Sequence, residues 1–310
     1  MADRLATYAA ALLVDWFAER SGKPYALESA ADGDVPVFVA TAGESRMALA
    51  IVPLWDVASD AAAEDARIAM EERLSEGNVR GPFLLWVPPR ASVPAEEPAA
   101  SDFVMRAQMA CAPMQAGARN EIDLPVNVQL AKMRDEGGYA SVIGGLGRFW
   151  TMITERLNGT FHLNSSAIHR APQTEAVRTA LFDRIGEISK GLNVGDAVEF
   201  DTVEAWTVQR LREDPLGQRG FAIAQAPPKI DPSDGTLMRR IVRKRLKAAN
   251  EALAAVEADV KGVGLLAIYE YADHENVGSF VKSLDPGLYA GLQIVAAVVD
   301  GEVRPVFQPR

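Results

Sequence analysis

The chain has 310 residues, 48% of them hydrophobic and 24% charged, which is enough to bury a large core and argues against a disordered chain. Its single cysteine, Cys111, excludes an intrachain disulfide and any multi-cysteine metal site, and fits a reducing compartment. The formal net charge of −10 means that the molecule as a whole repels polyanions.

The opening stretch RLATYAAALLVDWFAER places Leu5, Tyr8, Leu12, Leu13, Trp16 and Phe17 at helical spacing. Asp3 beside Arg4 and the early Asp15 argue against a signal peptide, so the segment reads as an amphipathic core helix. VPVFVATAGESRMALAIVPLW predicts two strands joined at Ala42-Gly43-Glu44-Ser45. DAAAEDARIAMEERLSEGN predicts a helix capped by Ser59 or Asp60 and ended by Gly77-Asn78. PFLLWVPP reads as a short apolar strand, and RASVPAEEPAAS as a surface loop and the best linker in the chain.

FVMRAQMACAPMQAGA predicts a Met-rich helix stopped by Pro113, with Cys111 on a buried face beside Met109, Ala110 and Met114, and LPVNVQLA a strand. TFHLNSSAIHRAP reads as extended, TEAVRTALFDRIGEISKGL as a helix, and AVEFD, AWTVQRL and GFAIAQA as strands. A basic helix from about Gly235 to Val260 precedes the strand VGLLAIYEY, a short helix around HENVGSFVKSL and the strand LQIVAAVV. Asp300-Gly301 predicts a hairpin turn. The apolar stretch between Asp285 and Asp300 falls short of the ~20 residues of a membrane span, so no membrane is expected and a cytoplasmic location is. The alternation of strands and helices predicts an α/β fold with a mixed β-sheet flanked by helices. The chain forms one continuous domain or two subdomains, 1–95 and 96–310.

Three clusters bear on function. GGLGRFWTMITERLNG crowds Gly144, Gly145 and Gly147 before a helix carrying Arg148 and Arg156. Free N–H groups at a helix start bind anions, and an arginine adds a fork of donors. The stretch matches neither the P-loop nor the dinucleotide pattern, and its competing reading is a tight turn whose Leu146, Phe149, Trp150, Ile153 and Leu157 face the core. His162, His169 and Arg170 follow close behind; on one unbroken strand the two histidines would point to opposite faces, which argues against joint metal ligation unless a turn intervenes. The third cluster is the helix whose Arg239, Arg243 and Lys247 share a side, with six cations and no acid from Arg239 to Lys247. Charge is segregated accordingly, at −8 for residues 1–118, +3 for 119–250 and −5 for 251–310. Polyanion affinity has to come from the middle segment.

The N-terminal order of helix, hairpin, helix and strand resembles the layout of the PD-(D/E)XK, or restriction-endonuclease-like, nucleases. The end of the chain has a similar look, with a basic helix, VGLLAIYEY, another helix and a strand. The resemblance implies a nuclease-like fold in which Glu28 or Asp34 would match the family's first metal-binding acid. Where its Asp/Glu-x-Lys triplet should lie, this chain has Ala50-Ile51-Val52, and a frame on Glu204, or on Gln225 with Lys229, is spaced imperfectly. The resemblance therefore implies a fold without hydrolysis; no metal site is predicted, and the sequence leaves any cofactor open. The leading expectation is binding of nucleic acid or another polyanion through the basic segment. The alternatives are a protein-interaction or scaffold role, with Met105, Met109 and Met114 as a contact patch, and a phosphate-ligand enzyme using Gly144–Arg148 with His162 or His169 as acid/base.

Overall fold

The computed structural model describes residues 3–31, 33–55, 60–228, 235–267 and 281–307. It is an α/β structure with two mixed sheets, ordered β1-β2-β3-β10-β11-β12 and β6-β7-β5-β8-β4-β9. The chain divides into two compact units, Met1–Asn120 with Thr207–Arg310, and Glu121–Trp206, so the boundary expected near residue 95 lies inside the first unit.

In the first unit, α1 (Arg4–Ser21) precedes three strands, β1 (Ala26–Ala31), β2 (Val37–Ala42) and β3 (Ser45–Pro53), which pair in antiparallel fashion. The sequence pattern missed β1, whose residues alternate little and are mostly exposed. Helix α2 (Ala61–Ser75) is capped by Asp60, whose carboxylate accepts from the Ala63 N–H at 3.2 Å; Ser59 lies outside the described residues. Strand β4 (Pro82–Trp86) is buried along its whole length. The expected surface loop ends early, because α3 (Ala99–Cys111) takes up its last residues. Met114 and Cys111 are buried, whereas Met105 and Met109 are 50% and 69% exposed.

Further along, β9 (Gly220–Ala224), α6 (Gly235–Ala254), β10 (Val260–Leu266), β11 (Ile294–Val299) and β12 (Glu302–Phe307) complete this unit. Strand β10 is parallel to both β3 and β11, so each of its neighbours needs a crossover, and α6 lies within the one from β3. Asp300 and Gly301 both take left-handed φ values, 52° and 75°, as a two-residue hairpin turn requires. Most of the helix expected around HENVGSFVKSL, including His274, lies outside the described residues.

The outer edge of β9 is sealed by side chains. The Phe221 N–H donates to Ser75 Oγ at 3.0 Å and the Ile223 N–H to Glu71 Oε1 at 2.6 Å. Arg4 Nη1 donates to the Phe221 carbonyl at 2.8 Å and the Tyr8 hydroxyl to the Gly220 carbonyl at 3.1 Å. These bonds satisfy an edge that would otherwise pair with another chain. Burial outweighs the neighbouring Arg67 guanidinium and pushes the Glu71 carboxyl up to about 7. A carboxyl that holds its proton more tightly when folded stabilises the protein most below its ordinary value near 4.5, and that gain is lost as pH rises toward 7. Glu71 should therefore contribute a fall of about 3 kcal/mol across this window, levelling above it, read in urea unfolding as the difference between the parent and a variant without this carboxyl. Glu71→Gln, which keeps an acceptor for Ile223, should remove that fall; an unchanged profile would exclude Glu71 as its source.

The second unit contains β6 (Tyr139–Gly144), β7 (Thr160–Ser165), α5 (Glu175–Lys190) and the larger parts of β5 (Arg119–Arg134) and β8 (Ala197–Arg210). AVEFD and AWTVQRL are one continuous strand, β8, and β6 is a strand the sequence pattern passed over. Its core is Val128, Leu130, Phe161, Leu163, Phe182 and Ile185, drawn from β5, β7 and α5. The helix expected after Gly147 is only a 3₁₀ turn, Gly147–Phe149, followed by the five-residue α4 (Trp150–Thr154). Leu146, Ile153 and Leu157 are buried as expected, but Trp150 is 47% exposed.

Candidate functional site

The glycine stretch is a backbone joint. Gly144 ends β6 at φ +87°, and a Cβ there would lie 2.2 Å from the Ser165 carbonyl carbon and oxygen. A Cβ on Gly145 would lie 2.2 Å from the Ile168 carbonyl oxygen. The Gly145 N–H donates to that oxygen at 2.8 Å, and the Leu146 N–H donates to Ser165 Oγ at 3.2 Å. The later residues do fold back onto the glycines, and in doing so they take up two of the donors that a phosphate would need. Gly147 is different, since its nearest neighbour, the Val142 carbonyl oxygen, stands 3.6 Å from a built Cβ.

The arginines of this region are engaged within the second unit. Arg148 stacks over the Phe149 ring at 4.7 Å, with Arg178 also on that ring at 5.6 Å. Arg156 donates to Asp183 at 2.7 Å and to the Met152 carbonyl at 2.7 Å. Arg170 is 3% exposed and donates through Nη1 to Glu121 and to the Ala205 carbonyl, both at 3.1 Å.

His169 and Glu204 form a dyad beside Arg170. Glu204, 4% exposed, accepts through Oε1 from the His169 N–H at 2.8 Å and the Arg170 N–H at 3.2 Å, and His169 Nδ1 lies 3.0 Å from the same oxygen. Such a carboxylate fixes the orientation of an imidazole ring. Here it also satisfies two backbone donors of the segment after β7, which makes it a structural clamp. His162 sits within β7, in register with Ala131 of β5, and the turn closed by the Ile168 N–H on the Ser165 carbonyl intervenes before His169. Among the described residues no group of three or more His, Cys, Asp or Glu side chains could hold a metal ion. Glu28 and Glu204, matched by the nuclease resemblance, accept from Thr41 and from His169 and Arg170 respectively; Lys229 lies outside the described residues. Burial pushes the Cys111 thiol up to about 12, so it is no nucleophile near neutral pH.

Helix α6 remains. Its inner face, Met238, Val242, Leu246, Ala249 and Leu253, is at most 1% exposed and belongs to the first unit's core. Its outer face exposes Arg239, Arg240, Arg243, Lys244 and Lys247. The sixth cation, Arg245, is half-buried and donates to the Trp55 carbonyl at 2.8 Å. The first acid on that face is Glu251, 3.8 Å from Lys247. The rows Arg239-Arg243-Lys247 and Arg240-Lys244 step about 6 Å per four residues along the helix. The predicted basic segment thus divides: residues 121–206 hold 8 Lys+Arg against 12 Asp+Glu, whereas 207–250 hold 10 against 4. The candidates Arg148, Arg156, His162, His169 and Arg170 belong to an acidic unit, and Arg239, Arg243 and Lys247 to the other one.

No protein-family model, curated protein or solved structure matches the chain. No helix among the described residues is long and apolar enough to cross a membrane. Sequence spacing found the outer cations of α6, because helical period fixes which side chains share a face. The count of six cations did not separate Arg245 from them, although its place three residues after Val242 and four before Ala249 already sets it beside the buried stripe, where its guanidinium meets the Trp55 carbonyl.

Proposed function

We propose that the protein binds the phosphate backbone of nucleic acid through the outer face of α6. The observation that carries this reading is the run of five exposed cations, uninterrupted by an acid, on a helix held rigidly by its buried face. A membrane surface is a poorer partner, because an interfacial helix inserts its apolar side into lipid and that side of α6 is already packed in the core. Local cations draw a polyanion even on an acidic molecule, since phosphate contacts are made within a Debye length of about 10 Å. The reading involves no hydrolysis.

Titration of duplex DNA and structured RNA over a range of salt concentrations tests it. Engagement of all five cations gives a slope of log affinity against log salt of about −4 to −5. Replacing Arg239, Arg243 and Lys247 together by Ala should flatten the slope by roughly 2.5 to 3, while Arg148→Ala and Arg156→Ala leave it unchanged. Absence of binding at low salt, or loss of binding in the second-unit variants with α6 intact, would overturn the assignment.

A further inference from the structure

The first unit contains a cavity of about 600 Å³, built from parts of the chain that no motif connects. It lies at the carboxyl ends of β3 and β10, where Pro53 and Leu266, the last residues of those two parallel strands, are register partners. Open α/β sheets bind their ligands outside strand carboxyl ends, and this volume lies in the range of small-molecule sites. We propose that the cavity binds a small organic ammonium compound with an apolar body.

The apolar part follows from the walls. Leu5, Ile51, Trp55 and Leu266 line the space, and Ile68 stands at its rim with 42% of its surface exposed. Trp55, 2% exposed, is a packed part of the same wall.

The charge follows from the polar groups. Asp3, Glu64 and Glu72 line the cavity as carboxylates against the two guanidinium groups of Arg4 and Arg67, and Glu71, whose carboxyl burial pushes up, adds a partial negative charge near neutral pH. Arg67 already lies between acids: Nε and Nη2 donate to the two oxygens of Glu64 at 2.9 and 2.5 Å, and Nη1 donates to Glu71. Arg4 directs Nη1 to the Phe221 carbonyl at 2.8 Å. The lining therefore keeps an excess of negative charge after its own pairs are formed. A bound carboxylate or phosphate would add to that excess in a partly desolvated space, whereas an ammonium group would offset it.

Two probes with the same carbon skeleton and opposite charge decide the matter: 3-phenylpropylamine and 3-phenylpropionate, titrated by calorimetry into the 310-residue chain. The amine should bind at least about tenfold more tightly than the acid. Ile68→Trp, at an exposed rim position, should weaken the amine by a similar factor as the indole enters the cavity. Glu72→Lys, on the exposed side of α2, should weaken the amine and strengthen the propionate, and it keeps the test open should Ile68→Trp fold poorly. Equal affinity for both probes, tighter binding of the propionate, no amine binding at millimolar concentration, or indifference to both substitutions would each overturn the proposal. None of these results bears on α6 and the nucleic-acid titration.

Discussion

Alanine at Gly145 is expected to destabilise the second unit by about 3 kcal/mol or more, because its methyl group would meet backbone that has no room to yield. The Ile168 carbonyl oxygen and carbon stand 2.2 and 2.9 Å from the Cβ position. Relief would require parting β6 from the segment after β7 and breaking the Gly145–Ile168 and Leu146–Ser165 hydrogen bonds. Gly144→Ala should cost as much, since it adds a left-handed φ of +87° to a clash with Ser165. Gly147→Ala should change stability by less than about 1 kcal/mol and can stabilise by restricting the unfolded chain. Chemical denaturation followed by far-ultraviolet circular dichroism measures all three. A Gly145→Ala variant as stable as the parent would mean that the joint is looser than its geometry.

The second large effect is expected at Glu204. Glu204→Ala removes the acceptor of two backbone N–H groups, those of His169 and Arg170, together with the partner of the imidazole. Unsatisfied buried donors cost about 1–3 kcal/mol each, so the variant should lose roughly 3–4 kcal/mol. Glu204→Gln retains an amide oxygen for the same donors and should lose only about 1–1.5 kcal/mol. His169→Ala should lose less still, about 1 kcal/mol or under, because its partly exposed ring forfeits a single contact. That ranking marks the carboxylate as a clamp on the backbone. Were His169→Ala as damaging as Glu204→Ala, the imidazole would be the group that the clamp serves.

Much of the fold was legible locally. The stripe from Leu5 to Phe17, the Asp60 cap, the unbroken apolar run of β4 and the Asp300-Gly301 turn each encode their structure within a few residues. β1 and β6 were not legible, because neither presents a regular buried face that would give it a period. The break after Gly147 was hidden as well. Phe149 and Trp150 sit at helical spacing, yet Phe149 packs on Phe182 of α5 at 5.5 Å while Trp150 turns outward.

The candidate sites divide along the same line. The outer face of α6 could be read from the sequence, since a helix of known period sorts its own side chains into inner and outer rows. Whether three closely spaced glycines cradle a ligand or let two backbones touch depends on what lies opposite, and Ser165 and Ile168 are about twenty residues away. The cavity depends on still longer separations, joining the start of α1 to Pro53, Trp55, α2, Gln225 and Leu266. By itself the sequence determined which faces of its helices and strands are apolar and where the chain turns. Only the tertiary structure decided which polar groups meet, because hydrogen bonds and clashes act over a few ångströms in space and leave no period along the chain.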